Sequence, residues 1–206
     1  MSTLLAVKGH PLEAEDSHAV QLLESFLTTY KETNPEDEII VVNPYATDFP
    51  EIDADITSGW HALIKGAEFT DLSTNQQSKL AAFNGLTEQF EKADKIVIAN
   101  PLWNLSIPSR LKAWFDTICV AGKTFKYTAE GPVGLVTGKK ALHIQASGGF
   151  YNGQDFAAQY TRQMLNFIGI TDFSEILAEG LDFDPTKVEE IMDKTTSEVV
   201  ATAKNF

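Results

Sequence analysis

The amino-acid sequence predicts an α/β fold in which a parallel sheet is covered by helices on both faces. Three observations predict it. First, five short apolar runs have strand character: Leu4 to Val7, Ile39 to Val42, Ile96 to Ala99, Ala141 to Ile144 and Phe173 to Leu177. Second, stretches between them space their apolar residues by three or four, as one face of a helix requires: Leu22, Leu23, Phe26, Leu27 and Tyr30; Leu80, Phe83, Leu86 and Phe90; Leu111, Trp114, Phe115 and Ile118. Third, helix-start signals fall where that alternation needs them. Ser73-Thr74-Asn75-Gln76 has the spacing of a capping box. Pro108 suits the first turn of the third helix, where its missing N–H costs nothing. Asp184-Pro185 opens the last helix in the same way, ahead of Val188, Ile191, Met192, Thr195 and Val199. Strands that alternate with helices build a parallel sheet.

The chain has 206 residues, which fits one α/β domain over residues 1–206 with embellishments rather than two full domains. Two stretches exceed a minimal repeat, Pro44 to Leu72 and Gly122 to Gly138. The second reads as a hairpin: Phe125 and Tyr127 alternate, Ala129-Glu130-Gly131-Pro132 turns the chain, and Leu135-Val136 returns.

Composition excludes several function classes. Lys and Arg number 16 against 29 Asp and Glu, a formal net charge of -13, so a phosphate backbone is repelled and nucleic acid is not an expected partner. Any anionic ligand must then be held by local donors such as the amides of a helix N-terminus. No apolar run approaches the ~18 residues of a membrane span, and the N-terminal run is too short for a signal-peptide core, so a cytoplasmic location is expected. Cys119 is the sole cysteine, at the end of a helical stretch, and is expected to be a buried, inert thiol. The four histidines, His10, His18, His61 and His143, lack metal-ligand spacing, so no metal is expected. Neither a dinucleotide glycine fingerprint, a P-loop nor a G-x-S-x-G elbow occurs.

Ligands of an open parallel sheet bind beyond the carboxyl ends of its strands, near the point where strand order reverses. Three loops qualify. Lys8 to Ser17 leads into the first helix, where Ser17 is either a cap or a donor to a phosphate at the helix end. Asn100 to Pro108 sets two prolines around Leu102, Trp103, Asn104 and Leu105, residues suited to frame a flat ring or to pack. Ala146-Ser147-Gly148-Gly149 brings paired glycines where backbone amides can approach a ligand, or simply turns the chain.

Taken in one register, Pro101-Leu102-Trp103-Asn104, Pro108, Leu111-Lys112, Asp116, Gly122, Phe125, Tyr127, Gly131-Pro132, Gly138-Lys139 and Ser147-Gly148-Gly149 resemble the FMN-dependent NADH azoreductases and related flavin quinone reductases. The resemblance runs from Leu4 to the last helix. It implies a flavodoxin-like three-layer sandwich with a five-stranded parallel sheet and an inserted hairpin, non-covalent FMN, and a homodimer with active sites at its interface.

Carried over by position, the resemblance implies that Ser17, His18 and Ala19 hold the phosphate. It sets Leu102, Trp103, Asn104 and Leu105 against the isoalloxazine, and Ala146, Ser147, Gly148 and Gly149 at its pyrimidine side. Tyr127, Phe150, Tyr151 and Phe167 are candidates to line the acceptor space, or to pack. Relatives often carry Ser where this chain has His10 and Ala19, and Met at Leu102. The implied activity is electron transfer from NADH or NADPH to quinones and azo compounds, with the flavin carrying the chemistry and no side chain an obligatory acid or base. An electron carrier of flavodoxin type is the alternative, separated from the enzyme by the hairpin and the dimer. A flavin-free binding protein is the other.

Overall fold

A computed structural model describes residues 1–46 and 49–206. Thr47 and Asp48, inside the Pro44 to Leu72 embellishment, lie outside the described residues.

The strands in chain order are β1 (Thr3–Lys8), β2 (Glu38–Val42), β3 (Lys95–Pro101), β4 (Phe125–Thr128), β5 (Gly131–Gly134), β6 (Lys140–Ala146) and β7 (Asp172–Ala178). The helices are α1 (His18–Thr33), α2 (Ala54–Ile64), α3 (Thr74–Lys92), α4 (Ser109–Ile118), α5 (Phe156–Ile168) and α6 (Val188–Ala203). Five strands form one parallel sheet in the order β2-β1-β3-β6-β7, and β4 with β5 forms a separate antiparallel hairpin.

Each central strand is buried on both faces, as a sheet between two helical layers must be. Side chains of β1 alternate accordingly: Leu4 and Ala6 join Phe26 and Tyr30 of α1 and Val199 of α6 on one face. Leu5 and Val7 join Phe90 of α3, Trp114 and Phe115 of α4 and Leu165 of α5 on the other. α2 does not reach the sheet. It packs Ile56 and Trp60 on Leu80 and Phe83 of α3, with Trp60 edge-on to Phe83 at 5.1 Å.

Local chemistry starts the helices. The Ser73–Gln76 capping box forms, with Gln76 N–H donating to Ser73 Oγ at 3.3 Å and Ser73 N–H donating to Gln76 Oε1 at 2.9 Å. Asp53 and Asp155 cap α2 and α5. Pro108 is the N-cap of α4, one place earlier than its sequence suggested. Asp184 caps a 3-10 turn, Pro185–Lys187, that runs into α6. Two helices lie beyond those expected. α2 occupies the first embellishment, and α5 spaces Ala157, Tyr160, Met164, Leu165 and Ile168 as a helix face packed toward the core.

The hairpin turns two residues earlier than expected. Only Ala129 and Glu130 connect the strands, Gly131 and Pro132 already pair with Thr128 and Tyr127, and Leu135 and Val136 lie beyond β5. Val136 instead donates its N–H to Ile168 O at 2.9 Å, tying the hairpin to the end of α5. There α5 stops at Gly169, with φ +110°, where an added Cβ would sit 2.6 Å from Val136 O.

Two outcomes follow from this packing. Gly169→Ala should lose about 2 to 3 kcal/mol in denaturant unfolding, combining a left-handed backbone with a clash. Gly66→Ala, at φ +93° with nothing within 4 Å of the added methyl, should lose only the backbone component, about 1 kcal/mol. Cys119 ends α4 half-buried, and burial, with Asp116 adding to it, pushes its thiol up to about 11. At pH 8 roughly one thiol in a thousand is then ionised. Iodoacetamide should label the native protein far more slowly than the guanidinium-unfolded chain, with the native rate rising about tenfold per pH unit up to that value.

Candidate functional site

The strand order reverses between β1 and β3: the chain leaving β1 enters α1 on one face, and the chain leaving β3 enters α4 on the other. The crevice between such diverging loops is where an open α/β sheet binds ligands. A cavity of about 200 Å³ sits there. Its walls are His10 and Asp16 to Ala19 from the first loop, Pro101 to Trp103 from the second, Ala146 to Gly148 from the third, and Leu181 with Asp182 from the loop after β7. Of the residues expected at a cofactor, Ser17, His18, Ala19, Leu102, Trp103, Ala146, Ser147 and Gly148 therefore share one cavity.

Backbone donors dominate the cradle. Ser17 is the N-cap of α1, and its Oγ accepts from Val20 N–H at 3.4 Å. The N–H groups of His18 and Ala19 in the first turn have no intrahelical partner, and a helix start of this kind favours an anion. In the third loop the carbonyls point away: Ser147 O, Gly148 O and Gly149 O accept from Leu181, Asp182 and Gly180 N–H at 3.1, 3.1 and 3.0 Å. That leaves the amides of Gly148 and Gly149 without an acceptor among the described residues. A Cβ at Gly148 would press on the side chain of the exposed Asp182, which would have to swing aside.

The second loop turns tightly. Trp103 and Ser106 exchange backbone hydrogen bonds at 3.1 and 3.0 Å around Asn104 and Leu105, whose φ values are +51° and +65°. Two consecutive left-handed residues are the requirement of a type I′ turn. Leucine is costly there, and strain of this sort concentrates at functional loops. The turn carries Asn104 and Leu105 away from the small cavity. Asn104 instead lines a neighbouring concavity of about 510 Å³ with Trp103, Ser106, Pro108, Lys112 and Tyr160.

The candidate acceptor residues divide. Phe150 is exposed and meets Phe183 edge-on at 5.5 Å. The half-buried Tyr151 donates its N–H to Glu179 and lays its ring against Gly149. Tyr127 projects from the hairpin, 75% exposed. Phe167 stacks obliquely on Phe125 at 4.7 Å, among residues packed on the core. Sequence reasoning missed the loop after β7, although it lies at a strand's carboxyl end by the same rule that selected the other three. Tyr160 was missed with α5.

Beneath the site lies a buried polar chain. His143, fully buried on β6, sets Nε2 2.8 Å from Asn100 Oδ1 and Nδ1 3.5 Å from Glu175 Oε1, and Arg162 closes on Glu175 from the surface. Asn100 Nδ2 donates to Pro101 O at 3.0 Å, so Oδ1 is an acceptor and His143 Nε2 carries a proton. Burial would raise the Glu175 carboxyl, but its neighbours His143 and Arg162 outweigh it and hold the group below the usual carboxylate range. A depressed carboxyl stabilises the fold at neutral pH, and that contribution is lost as pH falls through the depressed value. Among the described residues no group of three or more His, Cys, Asp and Glu could hold a metal ion, and no helix is long and apolar enough to cross a membrane.

A parallel sheet in the order β2-β1-β3-β6-β7 with an amide-lined cradle at its switch point defines a flavodoxin-like protein. The chain belongs to that family, whose model, described as flavodoxin-like fold, matches residues 2–203. A Streptococcus suis protein named FMN-dependent NADH:quinone oxidoreductase is 44% identical over 199 residues, 97% of each chain. The crystal structure of an azoreductase from Bacillus anthracis str. Sterne superposes with a TM-score of 0.91 at 36% identity, covering 100% of both chains. An FMN-dependent NADH-azoreductase from Bacillus anthracis str. Ames Ancestor, solved in complex with FMN, gives 0.91 at 34% identity, covering 100% of this chain and 99% of that one.

The Asn100–His143 pair yields a direct test. Asn100→Leu should cost about 1 to 3 kcal/mol in denaturant unfolding, because it leaves a buried imidazole N–H unpaired. The Asn100→Leu/His143→Leu double variant should cost clearly less than the two single losses added together.

Proposed function

We propose that the protein is an FMN-dependent oxidoreductase that passes electrons from NADH or NADPH to quinones and azo compounds, working in the cytoplasm as a homodimer with active sites at the interface. The observation that carries this reading is the cradle at the β1/β3 switch point, in a chain whose relatives of that activity match it nearly end to end.

The residues fit the cofactor. An α1 start with two unpartnered amides and the Ser17 hydroxyl suits a phosphate, which the chain's net charge of -13 would otherwise repel. Ser17, His18 and Ala19 would hold it. Leu102, Trp103, Asn104 and Leu105 would border the isoalloxazine, with Trp103 joining the small cavity to the larger one. The amides of Gly148 and Gly149, next to Ser147 and Ala146, would donate to the pyrimidine edge, where negative charge develops on reduction. Tyr127, Phe150 and Tyr151 would offer flat apolar surface to an acceptor, and Phe167 would support the hairpin that carries Tyr127.

FMN, when bound, would supply hydride chemistry at N5 between a reduced nicotinamide and an acceptor, and we read the exchange as ping-pong. The chain's own part is to bind, orient and shield. No acid or base side chain is required of it, since backbone amides stabilise the charge. A binding face made of flat apolar surface discriminates weakly between planar acceptors. The dimer reading is supported by exposed aromatic surface beside the site, with Phe150 and Phe183 at 59 and 77% exposure.

The purified protein should be yellow, carry one FMN per chain, and oxidise NADH with menadione and with methyl red. Double-reciprocal plots at several acceptor concentrations should be parallel. Light scattering should give twice the 22.7 kDa chain mass. A colourless protein that takes up no added FMN refutes the proposal. A yellow protein inert toward both nucleotides leaves an electron carrier instead.

A further inference from the structure

His10 lines the same cavity as the start of α1, yet none of the contacts above uses it. It is 7% exposed, and its Nε2 is not sealed inside the protein but opens to solvent. Its Nδ1 accepts the Leu12 backbone N–H at 3.1 Å. That bond needs a lone pair on Nδ1, so the proton of the neutral ring is on Nε2. Nε2 has no partner among the described residues, and the Nδ1 edge is already committed to the loop. The open edge of the ring is therefore a donor in a cavity whose other donors are the amides at the start of α1. Trp103 packs against the ring at 5.3 Å between centroids, tilted 59°, and limits its swing. Burial, reinforced by Lys8 and opposed by the Leu12 backbone contact and Asp16, lowers the affinity of the imidazole for a second proton. Lys8 itself is tied up, its ammonium 2.7 Å from both carboxylate oxygens of Glu13.

We infer that His10 is a phosphate-binding residue, donating Nε2–H to the FMN phosphate held at the start of α1. This rests on the FMN reading above. The imidazole does the work of a hydroxyl donor from a longer side chain, with its tautomer set by the Leu12 amide. It compensates for Ala19, which offers the anion only its backbone N–H. Asp16 and Asp182 also face this cavity, so a fixed donor without a competing lone pair is what distinguishes an anion subsite from a repulsive one.

The test compares FMN with riboflavin, which has the same ring system and no phosphate. For the wild type and for His10→Ala, dissociation constants for both flavins are measured by quenching of flavin fluorescence on adding apoprotein. His10→Ala should weaken FMN at least tenfold and leave riboflavin within twofold. His10→Asn, which keeps a donor, should recover part of the loss and serves as the second variant if alanine disturbs folding. The 31P resonance of bound FMN should also shift between the wild type and His10→Ala. If both affinities fall together in both variants, or neither falls, His10 is a packing residue and the inference is overturned. Failure of the wild type to bind either flavin would overturn the FMN reading itself, and the inference with it.

Discussion

The close approach of β1 to β3 is the constraint on which the rest of the molecule depends. At the end of β1, Gly9 donates its N–H to Ala99 O at 2.7 Å, and a Cβ there would lie 2.8 Å from that oxygen and 2.9 Å from Asn100 Cβ. Only glycine lets the two strand ends stay in register while their continuations part to opposite faces. The parting is what opens the crevice. It brings the free amides of α1 to one wall and the Pro101 to Trp103 segment to the other, without either loop needing to be long.

Around that opening the backbone's polar groups are sorted by direction. Carbonyls of the third loop are consumed by the Gly180 to Asp182 segment, so its amides are the groups left over. The same sorting occurs at α1, where a helix start exposes donors by construction. A chain with net charge -13 can thus bind an anion through geometry rather than through cationic side chains. The Asn100–His143–Glu175 chain extends this order beneath the site, because the Asn100 amide holds the Pro101 carbonyl and so the start of the Pro101 to Pro108 loop. An apolar trio would pack as well and would not fix that carbonyl.

How much of this was legible in the sequence depended on what signal each element leaves. α1, α3 and α4 place large apolar residues at helical spacing and could be read directly. α5 carries a stripe of its own, Ala157, Tyr160, Met164, Leu165 and Ile168 at helical spacing, so it was overlooked rather than unmarked. α2 packs on α3, with Leu72 and Val120 beside it, and not on the sheet, so only a short stripe around Ile56 and Trp60 marks it. The hairpin was legible as a hairpin, but Gly131-Pro132 carries so strong a turn signature that it masked the shorter Ala129-Glu130 connection. Proline is acceptable in β5 because a two-stranded ribbon leaves one edge of each strand free of ladder bonds. The Asn104-Leu105 turn could not be foreseen, since leucine at positive φ contradicts every local preference and is imposed by the loop around it.

The hairpin's attachment bears on which reading of the fold holds. An appendage on flexible joints would contribute little to a substrate pocket. Here Gly134 packs so tightly on Gly169 that a Cβ would meet its backbone N at 2.3 Å, Val136 bonds to Ile168, and Phe125 stacks on Phe167. Three separate contacts on one helix end fix the ribbon's orientation relative to the sheet. Phe167 thus earns its place as the hairpin's footing, while Tyr127, at the free end, is left exposed by a rigid support. An exposed aromatic held rigidly has little ordering entropy left to lose when a partner covers it.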